Sequence, residues 1–255
     1  MDFDRGNVTT YWRVASLIVA LAAFSSSARA ELTNLTNGGS VSFASLISSN
    51  GIPGLSVVIH DMLFSNFTFE YLGTSGAVPD TLVPAGLALY PFSNQFGSGF
   101  SLQMVGFEAP APGDPPGFFS RDIVLGFSAQ VANSSNPISG AFLGINGTVF
   151  GSGLATASEE ITTNTQGIGA GNIANPVYLS TYITADSQTA LDYVPFNQPQ
   201  TILSIEKDLE VSGDGPANYA SISIVEQTFA QIPEPSTLVF SALAIPVLLL
   251  VKRRK

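Results

Sequence analysis

No cysteine occurs in these 255 residues, so disulfide staples, thiolate nucleophiles and cysteine-ligated metals are excluded. Histidine is almost as scarce. His60 is the only one, which rules out zinc sites built on several imidazoles. Charge is thin, at 11% of residues, and lopsided: nine cations stand against nineteen acids, for a formal net charge of -10. General binding to a phosphate backbone needs clustered Lys and Arg, so no nucleic-acid partner is expected. Long helical patterns are missing too. Between residues 31 and 232 no i, i+3, i+4, i+7 spacing persists beyond three turns, and strong helix formers are sparse. What the chain does have is 45% hydrophobic and 10% aromatic residues, enough apolar surface to build a core, with 24 Gly and 16 Pro punctuating it. The length allows one large domain or two small ones.

The few charges are placed informatively. Arg5, Arg13 and Arg29 lie near the N-terminus, and Lys252, Arg253, Arg254 and Lys255 are the last four residues. Only Arg121 and Lys207 fall between residues 31 and 232, against sixteen acids. At the N-terminal end, Arg5 and Arg13 precede a run from Val14 to Phe24 that is apolar except for Ser16, followed by three serines and Ala28-Arg29-Ala30. A cationic leader, a short apolar stretch and a small-x-small site make up a secretory signal peptide, here residues 1–30. Cleavage is expected after Ala30, with Ala28 and Ala30 as the recognised small residues and Glu31 as the mature N-terminus. The apolar run is too short for a stable membrane helix, which takes about 20 residues.

At the other end, Ile232-Pro233-Glu234-Pro235-Ser236-Thr237 leads into a mostly apolar run from Leu238 to Val251 and then the four cations. A transmembrane helix over about 236–251 is close to the lower limit for crossing hydrocarbon, and Pro246 is tolerable within lipid. The basic cluster Lys252, Arg253, Arg254 and Lys255 should stay cytoplasmic by the positive-inside rule, which puts the middle of the chain outside. The Pro233-Glu234-Pro235 motif, the short apolar helix and the basic tail, in that order, resemble the PEP-CTERM sorting signal of bacterial exported proteins, also known as the ice-binding protein C-terminal domain. The resemblance covers residues 233–255. It implies an exosortase, a membrane-embedded processing enzyme acting near the Pro-Glu-Pro, as a partner. It also implies the inner membrane of a Gram-negative-type bacterium that makes exopolysaccharide. A plain one-helix tail anchor is the alternative. Ice binding itself is not expected, since Thr163-Asn164-Thr165 is the only Thr-x-Thr of the middle segment and no ladder builds on it.

From 31 to 232 the dominant period is two. Ile123, Leu125, Phe127, Ala129 and Val131 share one face of a strand, with Asp122, Val124, Gly126, Ser128 and Gln130 opposite. Phe67, Phe69 and Tyr71 alternate in the same way, as do Phe100, Leu102 and Met104. Further strands are expected in 176–184, 201–211 and 219–229, and Leu55–Ile59 reads as a short run that is buried on both sides. Gly, Pro, Asn and Asp cluster in 73–84, 109–117, 133–140, 151–153 and 213–216, where they supply turns. This pattern predicts an all-β fold, a β-sandwich of jelly-roll-like type, with a closed barrel as the alternative. The proline-rich stretch 109–117 is either a surface loop of one ectodomain or the boundary between two domains; the loop is the preferred reading.

Candidate chemistry is sparse. His60 beside Asp61 leaves a Ser–His–Asp arrangement open by count, but no Gly-x-Ser-x-Gly elbow accompanies it. Glu159 and Glu160 are adjacent, so in a strand they face opposite sides and are poorly placed to share a substrate. Glu206, Asp208 and Glu210 share a parity and form an acidic row that can offer oxygen ligands to Ca²⁺, the one metal candidate, although such a row more often blunts a sheet edge. Asp214 in Gly213-Asp214-Gly215 reads as a turn, as does the glycine-rich stretch 167–171. Tyr178, Tyr182 and Tyr193 are the candidate sugar-stacking aromatics.

Three function classes follow. The leading expectation is a non-enzymatic, exported cell-surface or extracellular-matrix protein, membrane-anchored or exosortase-processed, with a structural or adhesive role. The alternative is a carbohydrate-binding β-sandwich that contacts exopolysaccharide through the tyrosines and carboxylates. A secreted hydrolase with a dispersed site, using Asp208, Glu210 or His60, is the third. No catalytic residue and no obligatory cofactor are assigned.

Overall fold

The computed structural model describes residues 31–49, 53–72, 86–94, 97–110, 117–132, 136–162, 176–215 and 217–232. The signal peptide with Ala28 and Ala30, the Pro233-Glu234-Pro235 motif, the apolar segment and the basic cluster Lys252–Lys255 lie outside these residues. So do Thr163-Asn164-Thr165 and 167–171. Among the described residues, no helix is long and apolar enough to cross a membrane.

Fifteen strands and one short helix follow one another among the described residues. They are β1 (Leu32–Asn34), β2 (Val41–Ser42), α1 (Phe43–Leu46), β3 (Ser56–Ile59), β4 (Met62–Tyr71), β5 (Leu87–Asn94), β6 (Gly97–Met104) and β7 (Glu108–Ala109). Then come β8 (Phe119–Val131), β9 (Ile138–Phe150), β10 (Leu154–Thr162), β11 (Val177–Ile183), β12 (Gln188–Thr189), β13 (Leu191–Gln200), β14 (Ile202–Gly213) and β15 (Tyr219–Gln231). They form two sheets. The first has the order β1-β3-β4-β8-β14-β10-β11-β12, and the second β13-β9-β15-β6-β5-β2, with β7 also paired to β15. The all-β expectation holds, and its layers are two sheets around one core. Strands from before and after residues 109–117 pair within both sheets: β4 with β8 in the first, β6 with β15 in the second.

The period-two pattern explains the layering. Ile123, Leu125, Phe127, Ala129 and Val131 all point inward from β8 and are buried, and Phe100, Leu102 and Met104 do the same from β6. Phe64, Phe67, Phe100, Phe127 and Phe229 meet between the sheets. Phe64 contacts Phe100 edge-on at 5.2 Å and Phe127 at 6.3 Å, while Phe67 stacks on Phe127 at 5.8 Å. Offset and T-shaped pairs of this kind place positive ring edges against negative faces.

Several local features depart from the sequence reading. In β4 the register shifts between Ser65 and Thr68, and Asn66 has φ 56. This extra residue restores the inward phase, so Met62 and Phe64 are buried before the bulge and Phe67 after it. Leu55–Ile59 is not buried on both sides: Val57 and Ile59 are, whereas Ser56 and Val58 are half-exposed. Residues 133–140 are not turn throughout, because β9 begins at Ile138. Sequence gives no strand at 191–200, where Pro195 and Pro199 interrupt the pattern. β13 nevertheless pairs with β9, and it occupies the sheet edge, where a missing N–H leaves no ladder bond unmade.

His60 and Asp61 form the two-residue turn of the β3–β4 hairpin, closed by the Ile59–Met62 pair. His60 is exposed at φ 56 and its N–H donates to Thr36 Oγ1 at 2.8 Å. Asp214 also lies in a turn: its N–H donates to the Asn218 carbonyl at 3.0 Å, and its carboxylate accepts from Asn218 Nδ2.

Candidate functional site

β11, β10, β14 and β8 lie side by side in the first sheet, so their outward residues form transverse rows. Tyr178 faces Glu160, which faces Glu206. Ser180 faces Ser158 and then Asp208, and Tyr182 faces Thr156, Glu210 and finally Asp122. Adjacent strands are about 4.8 Å apart, so each row is a short polar track ending in a tyrosine or serine. Tyr178 is 65% exposed and Tyr182 37%. They are four residues apart on one strand, about 13 Å, with their rings on the same side. The Tyr182 hydroxyl lies 3.4 Å from Ser187 Oγ, and hydrogen bonds to Ser187 and then Thr189 lower its pKa below the ordinary tyrosine value.

Sequence groups Tyr193 with these two, but the structure does not bring it to the same face. It projects from the second sheet, where its ring stacks on Phe142 at 4.1 Å. It lies over Gly140, at which an added Cβ would come within 2.8 Å of the ring. Tyr193 therefore acts first as a lid on an otherwise exposed phenylalanine.

Glu206, Asp208 and Glu210 do share the outer face of β14, as their parity requires. Alternate residues of a strand sit about 6.6 Å apart in a line, which does not wrap oxygen ligands around one ion. Among the described residues, no three His, Cys, Asp or Glu side chains gather closely enough to hold a metal ion. The row instead acts on its neighbour. Asp122, opposite Glu210, has its pKa raised to about 7, first by burial, then by its hydrogen bond with Asp208 and the charges of Asp208 and Glu210. Ser120 Oγ donates to Glu210 at 2.8 Å and secures that carboxylate.

Glu159 and Glu160 point to opposite sides, as expected. Glu160 joins the outer face, whereas Glu159 is 2% exposed and faces inward. It meets Lys207, its direct cross-strand partner on β14, in a buried ion pair. Lys207 Nζ also donates to Gln227 Oε1 from β15 of the opposite sheet, and it lies 5.9 Å from the Phe127 ring centre. Burial pushes the Lys207 pKa well below the ordinary lysine value. The second cation of this segment is sealed as well: Arg121 is 1% exposed and its guanidinium donates to the Glu108 carbonyl. No Lys or Arg of residues 31–232 is thus left on the surface, whose charged side chains are acids.

Sequence reasoning missed this inner cluster. The signal was present in strand parity: Arg121 is in phase with Ile123 through Val131, and Lys207 is out of phase with the acids flanking it. Charge type argues for the surface and outweighs phase when spacing is read alone.

No family model matches the chain, and no curated protein does. Solved structures give only remote similarity. A CBM61 module in complex with β-1,4-galactotriose is 10% identical over 63% of this chain and 88% of its own, at TM-score 0.29. The xylan-binding module CBM15 is 11% identical over 68% and 98%, at 0.25. The family 11 xylanase from Neocallimastix patriciarum is 7% identical over 76% and 100%, at 0.23. At these scores no residue role passes from those proteins to this chain.

Proposed function

We propose that this chain is an exported, non-enzymatic cell-surface or extracellular-matrix protein with a structural or adhesive role. Its jelly-roll-like ectodomain follows a signal peptide ending at Ala30. Residues 236–251 span the inner membrane until an exosortase acts at Pro233-Glu234-Pro235. The observation that supports this reading is the cation-free surface of the sandwich. With Arg121 and Lys207 buried, the body repels anionic lipid and nucleic acid alike, which favours membrane attachment through the chain's ends. The test is a fluorescent reporter fused after Lys255, combined with protease treatment of spheroplasts. The reading expects a fluorescent cytoplasmic tail and a digestible outer body; a reporter that needs export to be active would overturn it.

A second reading concerns what the body touches. We infer that the outer face of β11, with Tyr178, Ser180 and Tyr182 beside Glu160, contacts exopolysaccharide. Two exposed aromatic rings on one strand offer flat faces to sugar C–H groups, and the flanking carboxylates accept hydrogen bonds from hydroxyls. Affinity electrophoresis of the full chain through gels containing different polysaccharides measures this. Retardation by at least one glycan, relieved in Tyr178→Ala and Tyr182→Ala, is the expected outcome. Equal mobility in every gel would remove this reading and leave the first intact.

A further inference from the structure

Lys207, Glu159 and Gln227 present a reactive arrangement as well as a structural one. The three side chains are at most 2% exposed and come from β14, β10 and β15, so they tie the centre of one sheet to the centre of the other. Nζ of Lys207 contacts both Glu159 Oε2 and Gln227 Oε1. Two atoms of the cluster have no hydrogen-bond partner among the described residues: Glu159 Oε1 and Gln227 Nε2. A buried amide NH₂ without a protein partner is a cost that native interiors rarely carry. Its removal as ammonia eliminates that cost.

We propose that Lys207 and Gln227 join in an intramolecular isopeptide bond between the two sheets, with Glu159 carrying the protons. One proton is shared between Nζ and the Glu159 carboxyl; when it rests on the carboxyl, Lys207 is a neutral amine. Desolvation favours this form, since it penalises the ammonium. The Nζ lone pair adds to Cδ of Gln227, and the carbonyl electron pair moves onto Oε1. Glu159 first delivers its proton to Nε2 and then takes one from Nζ. The tetrahedral centre then collapses, the Cδ–Nε2 bond breaks and ammonia leaves. Amine plus primary amide gives secondary amide plus ammonia, with no oxidant and no net proton change. Glu159 touches the reacting nitrogen throughout and is catalytic in this sense.

The product closes the chain between residues 207 and 227 and fastens β14 to β15 across the core. For a chain with no cysteine, this is a covalent staple that a reducing or oxidising medium does not affect.

Trypsin reads the bond directly, because Lys207 is the only Lys or Arg between Arg121 and Lys252 and an acylated lysine is not cut. The purified full-length chain is denatured, digested and weighed. The expected result is one fragment that starts at Asp122 and runs past Lys207, lighter by about 17 Da, the mass of ammonia. Glu159→Gln should restore the unmodified mass and cleavage after Lys207. Normal cleavage of the wild-type chain at Lys207 overturns the proposal. A deficit of about 18 Da, with fragment ions joining Lys207 to Glu159, overturns the assignment to Gln227. The wild-type measurement decides even if Glu159→Gln fails to fold.

Discussion

Replacing Asp122 with asparagine should stabilise the protein at neutral pH and leave it unchanged in acid. In the folded state the Asp122 carboxyl is squeezed between burial and the charges of Asp208 and Glu210, and it titrates at about 7 rather than in the ordinary aspartate range. The unfolded chain releases that proton near pH 4. Between about pH 4 and 7 the folded state therefore holds a proton that the unfolded state has lost, so stability falls as pH rises through this window. Three units taken at face value are roughly 4 kcal/mol, but the carboxyl is only partly buried, and solvent screening reduces this to about 1 kcal/mol. The substituted amide keeps the shape of the carboxyl and stays neutral at every pH. For a body of this size, 1 kcal/mol moves Tm by about 2–4 °C. Melting curves at about pH 3 and pH 7.5 should give equal Tm values for the wild type and Asp122→Asn in acid, and a higher Tm for the variant at neutral pH. Taking the difference between the two proteins cancels the other carboxylates, including Glu226, whose pKa burial also raises. A variant that melts lower at pH 7.5 than the wild type would refute the reasoning.

Other perturbations probe other parts of the molecule. Phe64→Ala opens a void beside Phe100, Phe127 and Phe229 and should cost about 3–5 kcal/mol in urea unfolding; a loss below about 1 kcal/mol would show that this cluster is not the core's centre. Gly140→Val places side-chain atoms where the Tyr193 ring lies, so it should unstack Phe142 and lower stability by about 1–3 kcal/mol, and an unchanged Tm would contradict the packing. Tyr219→Phe removes a 2.6 Å hydrogen bond to Glu108 and should cost about 1 kcal/mol by the same denaturation assay, with no loss counting against that bond's presence in solution.

The strands most legible in the sequence are those with one apolar face. β8, β6 and β14 alternate cleanly, and their inward apolar residues follow from period alone. β9 alternates poorly, because Gly140 and Gly144 break up its outward face and Ala141, Phe142 and Leu143 run together. Phe142 is apolar yet points outward, since Tyr193 covers it from the neighbouring strand, a contact that sequence spacing cannot show. β13 is hidden by its prolines, which an edge position permits. In β4 the bulge at Asn66 changes phase mid-strand, yet the alternation of Phe67 and Phe69 can still be read on its own side of the bulge.

The site is legible in the same uneven way. Parity places Glu206, Asp208 and Glu210 on one face and splits Glu159 from Glu160. The tyrosines cannot be grouped without the topology, because β11 and β13 are close in sequence but belong to different sheets. By spacing alone, Lys207 is a charge within an acidic run. Only the register with Glu159 and the arrival of Gln227 from the facing sheet reveal it as the hub of the core.

The most direct test of the export reading is the mature N-terminus of the protein recovered from its own cell envelope or medium, determined by mass spectrometry. The account predicts a chain that begins at Glu31 and is found outside the cytoplasm. A chain that still carries residues 1–30 and resides in the cytosol would contradict it.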